Sequence, residues 1–128
     1  MNIDRLDHLV LTVRDPEATL SFYERLGMRR IRFDGRDALR FGRSKINIHP
    51  TDGIIQPAAR QPTPGSGDLC FVVDDAADAI VEAVRAAGIE IELGPVARTG
   101  AEGPITSVYV RDPDGNLLEF ATYRSSDD

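Results

Sequence analysis

The stretch DHLVLTVRD, residues 7–15, decides the fold because a similar stretch, GDLCFVVDD, returns at residues 67–75. In both, apolar residues are followed by an acidic one, a pattern that predicts a strand running into a capped helix. Four pairs of positions coincide: Leu9 and Leu69, Leu11 and Phe71, Val13 and Val73, Asp15 and Asp75. The repeat indicates two copies of one unit, each too small to bury its apolar face alone.

Each copy is predicted to be a β-α-β-β-β unit. In the first we expect a strand at 6–13, a helix at 16–26 capped by Asp15 and stopped by Gly27, and strands at about 29–33, 38–42 and 45–49. In the second we expect a strand at 68–73, a helix capped by Asp74 or Asp75 and ended by Gly88, a loop at 93–104, a strand at 105–111, the turn DPDG at 112–115 and a strand at 116–122. The chain is therefore predicted to be one domain, with module one at about 4–50, a Pro- and Gly-rich linker at 51–66 and module two at about 67–124.

Composition narrows the function classes. The 128 residues suffice for one domain with a hydrophobic core, and no apolar stretch reaches the length of a membrane span or a signal peptide, so we expect a cytoplasmic protein. A formal charge of −6 without a run of basic residues argues against nucleic acid or a membrane surface as the partner and favours a small molecule. The single cysteine, Cys70, excludes an internal disulfide and is interpreted as a small buried hydrophobe in preference to a nucleophile.

Strand alternation assigns the polar residues to one face of each copy. Leu9, Leu11 and Val13 are expected to pack on the helices, which turns His8 to the opposite, concave side. On the same argument Asn47 and His49 face the concavity, as do Glu119 and Asp68. Matching KINIHP (45–50) to GNLLEF (115–120) makes His49 equivalent to Glu119, and the first strands make His8 equivalent to Asp68.

These four equivalent positions all hold residues that can bind a metal. Two histidines and a carboxylate suit Zn²⁺, Ni²⁺, Mn²⁺, Co²⁺ or Fe²⁺ and leave open positions for catalysis. Singly, each has a simpler explanation: His8 as a hydrogen-bonded structural residue, Glu119 as an exposed or arginine-paired carboxylate, and Asp68 as a loop cap. Taken together, they predict a metal site with His8, His49 and Glu119 as ligands.

Two longer strings resemble a known group. DHLVLTVRDPEATLSFYERLGM near the start and VYVRDPDGNLLEF near the end resemble the vicinal oxygen chelate superfamily, which includes glyoxalase I, extradiol dioxygenases, fosfomycin-resistance proteins and bleomycin-binding proteins. The string GPVARTGAEGPITSVYVRDPDGNLLEF looks most like a small subgroup of uncharacterised and virulence-associated glyoxalase-domain proteins. The resemblance covers about residues 4 to 124.

The resemblance implies an α+β fold in which paired βαβββ modules form a U-shaped mixed sheet around one metal, with the helices outside. It places His8 on the usual first-strand ligand and Glu119 on the usual last-strand ligand. Glyoxalase I has Glu at the position matched here by His49, and His at the position matched here by Asp68. The ligand arrangement of this chain therefore departs from the family pattern. A homodimer is expected by family analogy alone.

We therefore expect a metal-dependent enzyme of lyase or isomerase type acting on a small molecule with adjacent oxygens. Glu119 and Asp68 are the candidate catalytic residues, with Asp68 as a fourth ligand or general base. The alternatives are an Fe²⁺ extradiol-type dioxygenase and a non-catalytic binding protein of the bleomycin-resistance type. Arg98 and Thr99 are candidates for binding an anionic group from a loop at the cleft rim, unless that loop is merely solvated, and Ser107 and Tyr109 are expected to face the same side as Glu119.

Overall fold

A computed structural model describes residues 1–125 of the chain. Its elements, in chain order, are β1 His8–Val13, α1 Pro16–Arg25, β2 Arg29–Phe33, β3 Arg36–Phe41, β4 Ser44–Pro50, β5 Asp68–Val72, α2 Ala77–Ala86, β6 Leu93–Gly100, β7 Gly103–Arg111 and β8 Leu117–Thr122. They fall into two compact units, Met1–Ser66 and Gly67–Asp128. Each unit has one helix and one four-stranded mixed sheet, which confirms the predicted α+β class and the repeat.

Unit 1 is a mixed sheet covered on one face by α1. Its strand order is β1-β4-β3-β2, with β1 parallel to β4 and the other pairs antiparallel. The alternating apolar residues of the strands pack on the helix side, as predicted. The buried apolar residues of this unit are Leu11, Val13, Leu20, Phe22, Tyr23, Ala38, Leu39, Ile46 and Ile48.

The ends of α1 confirm the predicted cap and stop. The Asp15 carboxylate accepts a hydrogen bond from the backbone N–H of Ala18 at 3.2 Å, and Pro16 begins the helix. Gly27 follows the last turn with a φ of 104°. The second helix departs from expectation, because its N-cap is Ala76, which has no side-chain oxygen to offer, rather than Asp74 or Asp75.

Unit 2 repeats the arrangement with strand order β5-β8-β7-β6 and α2 on one face. Its core consists of Ile80, Val84, Ile105, Val108, Val110, Leu118, Phe120 and Ala121. The aromatic rings of Phe71 and Phe120 stack across β5 and β8 with centroids 5.7 Å apart.

The expectation of a loop over 93–104 is wrong, because this segment forms β6 and a tight hairpin into β7. The glycines and prolines that suggested a loop lie at irregularities of the strand. Gly94 has a φ of 116° next to a register shift between Leu93 and Val96. Such a bulge lets the edge strand continue through residues that would otherwise end it.

The DPDGN turn at residues 112–116 is held by its own buried side chains. The Asp112 carboxylate accepts from the backbone N–H of Asp114 and Asn116, both at 2.9 Å, and from the Asn116 amide at 2.8 Å. The Asn116 side-chain oxygen in turn accepts from the backbone N–H of Gly67 at 2.7 Å. The motif is therefore a structural device that ties the β7–β8 turn to the residue before β5.

The strand registers correct the equivalence predicted between the two copies. Leu9 pairs with Ile46 in unit 1, and Leu69 pairs with Leu118 in unit 2. Ile46 therefore corresponds to Leu118, which makes Asn47 the counterpart of Glu119. The predicted match of His49 to Glu119 is wrong by two residues.

The two helices of the described residues, α1 and α2, have ten residues each. Neither α1 nor α2 is long and apolar enough to span a bilayer.

Candidate functional site

Glu119 lies on the face of the unit 2 sheet that α2 leaves uncovered. It pairs with Tyr109 on β7 and with Cys70 on β5, so the three side chains form one row across the sheet. The Ser107 hydroxyl donates a hydrogen bond to Glu119 Oε2 at 2.5 Å. The sequence placed Ser107 and Tyr109 on the same side as Glu119, and the register confirms that orientation.

Glu119 also borders a small cavity within unit 2. The cavity has a volume of about 280 Å³. Its lining residues are Cys70, Val72, Thr99, Gly100, Ala101, Ile105, Glu119, Ala121 and Tyr123. A larger cavity of about 1000 Å³ beside α2 contains none of the predicted site residues.

Cys70 was expected to be buried, and this expectation is wrong because the thiol is exposed beside Glu119. Partial burial, followed by the negative charge of Glu119, raises the pKa of Cys70 to about 11. Asp68 contributes to the same rise, since it lies two residues earlier on the same side of β5. At neutral pH Cys70 is therefore a protonated thiol beside the Glu119 carboxylate.

Arg98 and Thr99 lie in β6 and not in a loop. Arg98 Nε donates to the Tyr109 hydroxyl at 3.1 Å, and its guanidinium lies 5.5 Å from the centroid of the Tyr109 ring. These contacts bring Arg98 to the open face of unit 2, where β7 lies between it and Glu119 on β8. Thr99 reaches the small cavity from the same strand.

His8 lies at the start of β1 on the open face of unit 1. Its Nδ1 atom is hydrogen-bonded to the Asp7 carboxylate at 2.8 Å, and this bond holds the pKa of Asp7 below its usual range. The residues that the structure describes give Nε2 no partner. A carboxylate on one ring nitrogen with the other nitrogen free is the arrangement that orients a histidine for metal ligation.

His49 lies on the same face but far from His8. It pairs with Thr12, whereas His8 pairs with Lys45, so four residues separate the two histidines along parallel strands. That offset is about 13 Å at the rise of a strand, too far for side chains that stand perpendicular to the sheet to share one ion. Burial and the nearby charge of Arg36 lower the pKa of His49, which is therefore neutral at physiological pH.

The predicted ligands thus do not converge within either unit. Residues 1–125 contain no cluster of three or more His, Cys, Asp or Glu side chains placed to hold an ion within unit 1 or within unit 2. Two individual donors nonetheless fit metal binding: His8 with its free Nε2, and Glu119 with one carboxylate oxygen left over by Ser107. Asn47, rather than the predicted His49, occupies the position on β4 that corresponds to Glu119 on β8.

Comparison with known proteins gives consistent results. The family described as the Glyoxalase/Bleomycin resistance protein/Dioxygenase superfamily matches residues 5–120. Virulence protein STM3117 of Salmonella typhimurium is 51% identical over 125 residues, covering 96% of this chain and 87% of that protein. Its crystal structure superposes with a TM-score of 0.94, covering 97% of this chain and 100% of that one.

Two further relatives extend the comparison. Glyoxalase domain-containing protein RDO1 of Mycosarcoma maydis is 47% identical over 127 residues, covering 98% of this chain and 72% of that protein. The crystal structure of lactoylglutathione lyase from Agrobacterium tumefaciens has a TM-score of 0.73 at 24% identity, covering 96% of each chain. At that identity the similarity concerns the fold alone.

Proposed function

Because this chain belongs to the Glyoxalase/Bleomycin resistance protein/Dioxygenase superfamily, we propose that it is a divalent-metal-dependent enzyme of glyoxalase-like lyase or isomerase type. Its proposed substrate is a small molecule with adjacent oxygens. The observation that carries the proposal is that His8 and Glu119 are each fixed by one neighbouring side chain, Asp7 and Ser107, which leaves a donor atom free. Fixed donors of this kind are what a metal site requires.

The proposed ligands are those that the family resemblance implies, His8 and Glu119, with Asp68 as a third ligand or the general base. Zn²⁺, Ni²⁺, Mn²⁺, Co²⁺ and Fe²⁺ all suit such a set. When bound, the ion supplies Lewis-acid stabilisation of an oxyanion. His49, predicted as a ligand from the sequence, is omitted because the β1–β4 register separates it from His8.

The remaining residues have roles in orientation and proton transfer. Ser107 holds the Glu119 carboxylate in one orientation through its hydroxyl. Tyr109 and Arg98, bonded to each other, offer a hydroxyl and a guanidinium to a polar substrate group on the open face of unit 2. Asp68 is exposed and free to accept a proton from a substrate carbon and return it to the neighbouring atom, the step that an isomerase or lyase needs.

An extradiol-type dioxygenase is less well supported. That chemistry was inferred from two histidines and one carboxylate on one iron. The offset between His8 and His49 leaves the described chain without this pair on one ion. A non-catalytic binding protein is distinguished from the proposed enzyme by measuring metal content, because only the proposed enzyme requires a bound ion.

The test is metal content by mass spectrometry after supplementation with Zn²⁺, Ni²⁺, Mn²⁺ and Fe²⁺. We expect wild type to retain an ion, His8→Ala and Glu119→Gln to lose it, and Ser107→Ala to bind it about 10- to 100-fold more weakly. His49→Ala is the matched control, since it removes the other histidine and should leave metal content unchanged. A metal-free wild type contradicts the proposed function, and metal loss in His49→Ala contradicts the ligand assignment.

A further inference from the structure

Charge is divided unequally between the two units. Unit 1 has eleven Lys and Arg against eight Asp and Glu, a formal charge of +3, while unit 2 has four against thirteen, a charge of −9. The overall charge of −6 is therefore the sum of a positively charged unit 1 and a strongly negative unit 2. Where the basic side chains of unit 1 lie decides whether this charge is neutralised or available to a ligand.

The open face of unit 1 contains a row of basic residues that crosses all four strands, with a histidine as its member on β1. Arg29 pairs with Arg40, Arg40 pairs with Lys45, and Lys45 pairs with His8. Directly paired residues project from the same side of a sheet, and like charges placed so are destabilising unless something neutralises them. Within residues 1–125, Arg29, Arg40 and Lys45 form no ion pair, and the carboxylate next to the row, Asp7, is bonded to His8.

On the helix face of β2, by contrast, the arginines form ion pairs. Arg30 donates to Glu17 at 2.7 Å and forms an ion pair with Glu24 at 2.9 Å, and Arg32 pairs with Asp37 at 3.0 Å. Arginines on β2 are thus neutralised on one side of the sheet and left free on the other. The open face of unit 1 has no carboxylate among its strand residues to do the same.

The edge of the face opposite the row is also basic, through one arginine, since His49 beside it is neutral at physiological pH. Arg36 pairs with Phe33 on β2, and its charge reaches His49 on β4. Between the two basic edges runs a row without charge. Its members are Val10, Ile31, Ala38 and Asn47.

We propose that this open face of unit 1 binds a small organic anion whose apolar carbon skeleton lies on the uncharged row and whose phosphate, phosphonate or carboxylate groups meet the basic edges. Four strands and four residues of strand length give a face of about 14 by 13 Å. That area suits a small molecule and falls far short of the roughly 800 Å² per partner of a stable protein interface. Naming this anion as the substrate rests on the proposed function, whereas its binding requires no metal.

The test is calorimetric titration of the full chain, stripped of metal with EDTA, with octanediphosphonate at low ionic strength. Methylphosphonate serves as the one-headed probe and octanediol as the uncharged one. Arg40→Gln and Lys45→Gln should each weaken octanediphosphonate binding about 5-fold, and the double variant about 20-fold, since each removes one contact to the anion. Arg60→Gln, which removes the same charge from the segment 51–66, is the matched control and should change affinity less than 2-fold.

The same experiment contains the outcomes that overturn the proposal. No binding by wild type, equal weakening in Arg60→Gln and Arg40→Gln, or octanediol binding as tightly as octanediphosphonate would each do so. Displacement of the probe by an oligonucleotide would assign the face to nucleic acid, and a concentration-dependent dimer lost in the double variant would assign it to a second copy. Because the protein is metal-free throughout, failure of metal binding leaves this result unaffected.

Discussion

Replacing Gly94 with alanine perturbs the point at which β6 bends beside the candidate site. Gly94 has a φ of 116°, which L-residues rarely adopt. A Cβ there would collide with the backbone oxygen of Ser107 and lie 3.0 Å from the Cα of Val108. Neither atom can move without shifting β7, the strand that presents the Ser107 hydroxyl to Glu119.

The expected change in the free energy of unfolding has three contributions. The strained backbone costs about 1–3 kcal/mol, and overpacking against β7 costs about 1–3 kcal/mol. The reduced entropy of the unfolded chain returns about 0.4–1 kcal/mol. Taking the middle of each range, we expect Gly94→Ala to lower the free energy of unfolding by about 3 kcal/mol.

The assay is urea denaturation, and Gly103→Ala is the matched control. Gly103 ends the same hairpin with a φ of 130°, but a Cβ there meets nothing within 4 Å. The control thus carries the backbone strain without the contact and should cost about 0.5–2 kcal/mol. Equal losses in the two variants, or no loss in Gly94→Ala, would refute the claim that contact with Ser107 fixes the bulge.

Three further predictions concern the core, an ion pair and the thiol. Ile46→Ala, at a fully buried position, should lower the free energy of unfolding in urea by about 2–5 kcal/mol. Ile3→Ala, at a position 84% exposed, should change it by less than about 0.5 kcal/mol. Comparable losses in the two variants would contradict the assigned core. Arg30 lowers the pKa of Glu17 below its usual 4.5, so this ion pair stabilises the fold above pH 4.5 and stops doing so as the pH falls through the folded-state pKa. The difference in the free energy of unfolding between wild type and Arg30→Gln should therefore shrink as the pH is lowered through that range. A difference that stays constant would contradict the pairing. Because its pKa is raised to about 11, the Cys70 thiol should react slowly with iodoacetamide at neutral pH, and about tenfold faster for each pH unit towards 11. The urea-unfolded protein should react at the rate of an ordinary thiol. Equal rates in the folded and unfolded states would show that the fold does not perturb the thiol.

The sequence predicted β1, α1 with its Asp15 cap, and the side of each strand on which the polar residues lie. It could not fix the register between strands. A two-residue slip preserves the alternation of faces, so His49 and Asn47 are indistinguishable by periodicity although they lie nearly 7 Å apart along β4. Only the observed pairing of Leu9 with Ile46 and Leu69 with Leu118 decides between them.

Two other features escaped prediction for physical reasons. β6 contains two glycines and a proline, residues that disfavour a strand in isolation, and its pairing with β7 overrides that preference. The basic row of unit 1 contains one residue from each of four strands, so no run of basic residues reveals it. Its trace in the sequence is MRRIRFDGRDALRFGRSK, 28–45, in which Arg29, Arg40 and Lys45 are interspersed with arginines that face the other side of the sheet, such as Arg30 and Arg32.

The bond from Asn116 to the backbone of Gly67 has a consequence for engineering the chain. Gly67 is the first residue of unit 2, so the DPDGN turn anchors the incoming chain from within that unit. Upstream, residues 56–61 are exposed, and the side chains bonded within 51–66 bond only to near neighbours. A reporter inserted at 56–61 would leave the hydrogen bonds of both sheets and the anchor intact, which makes this segment suitable for insertion.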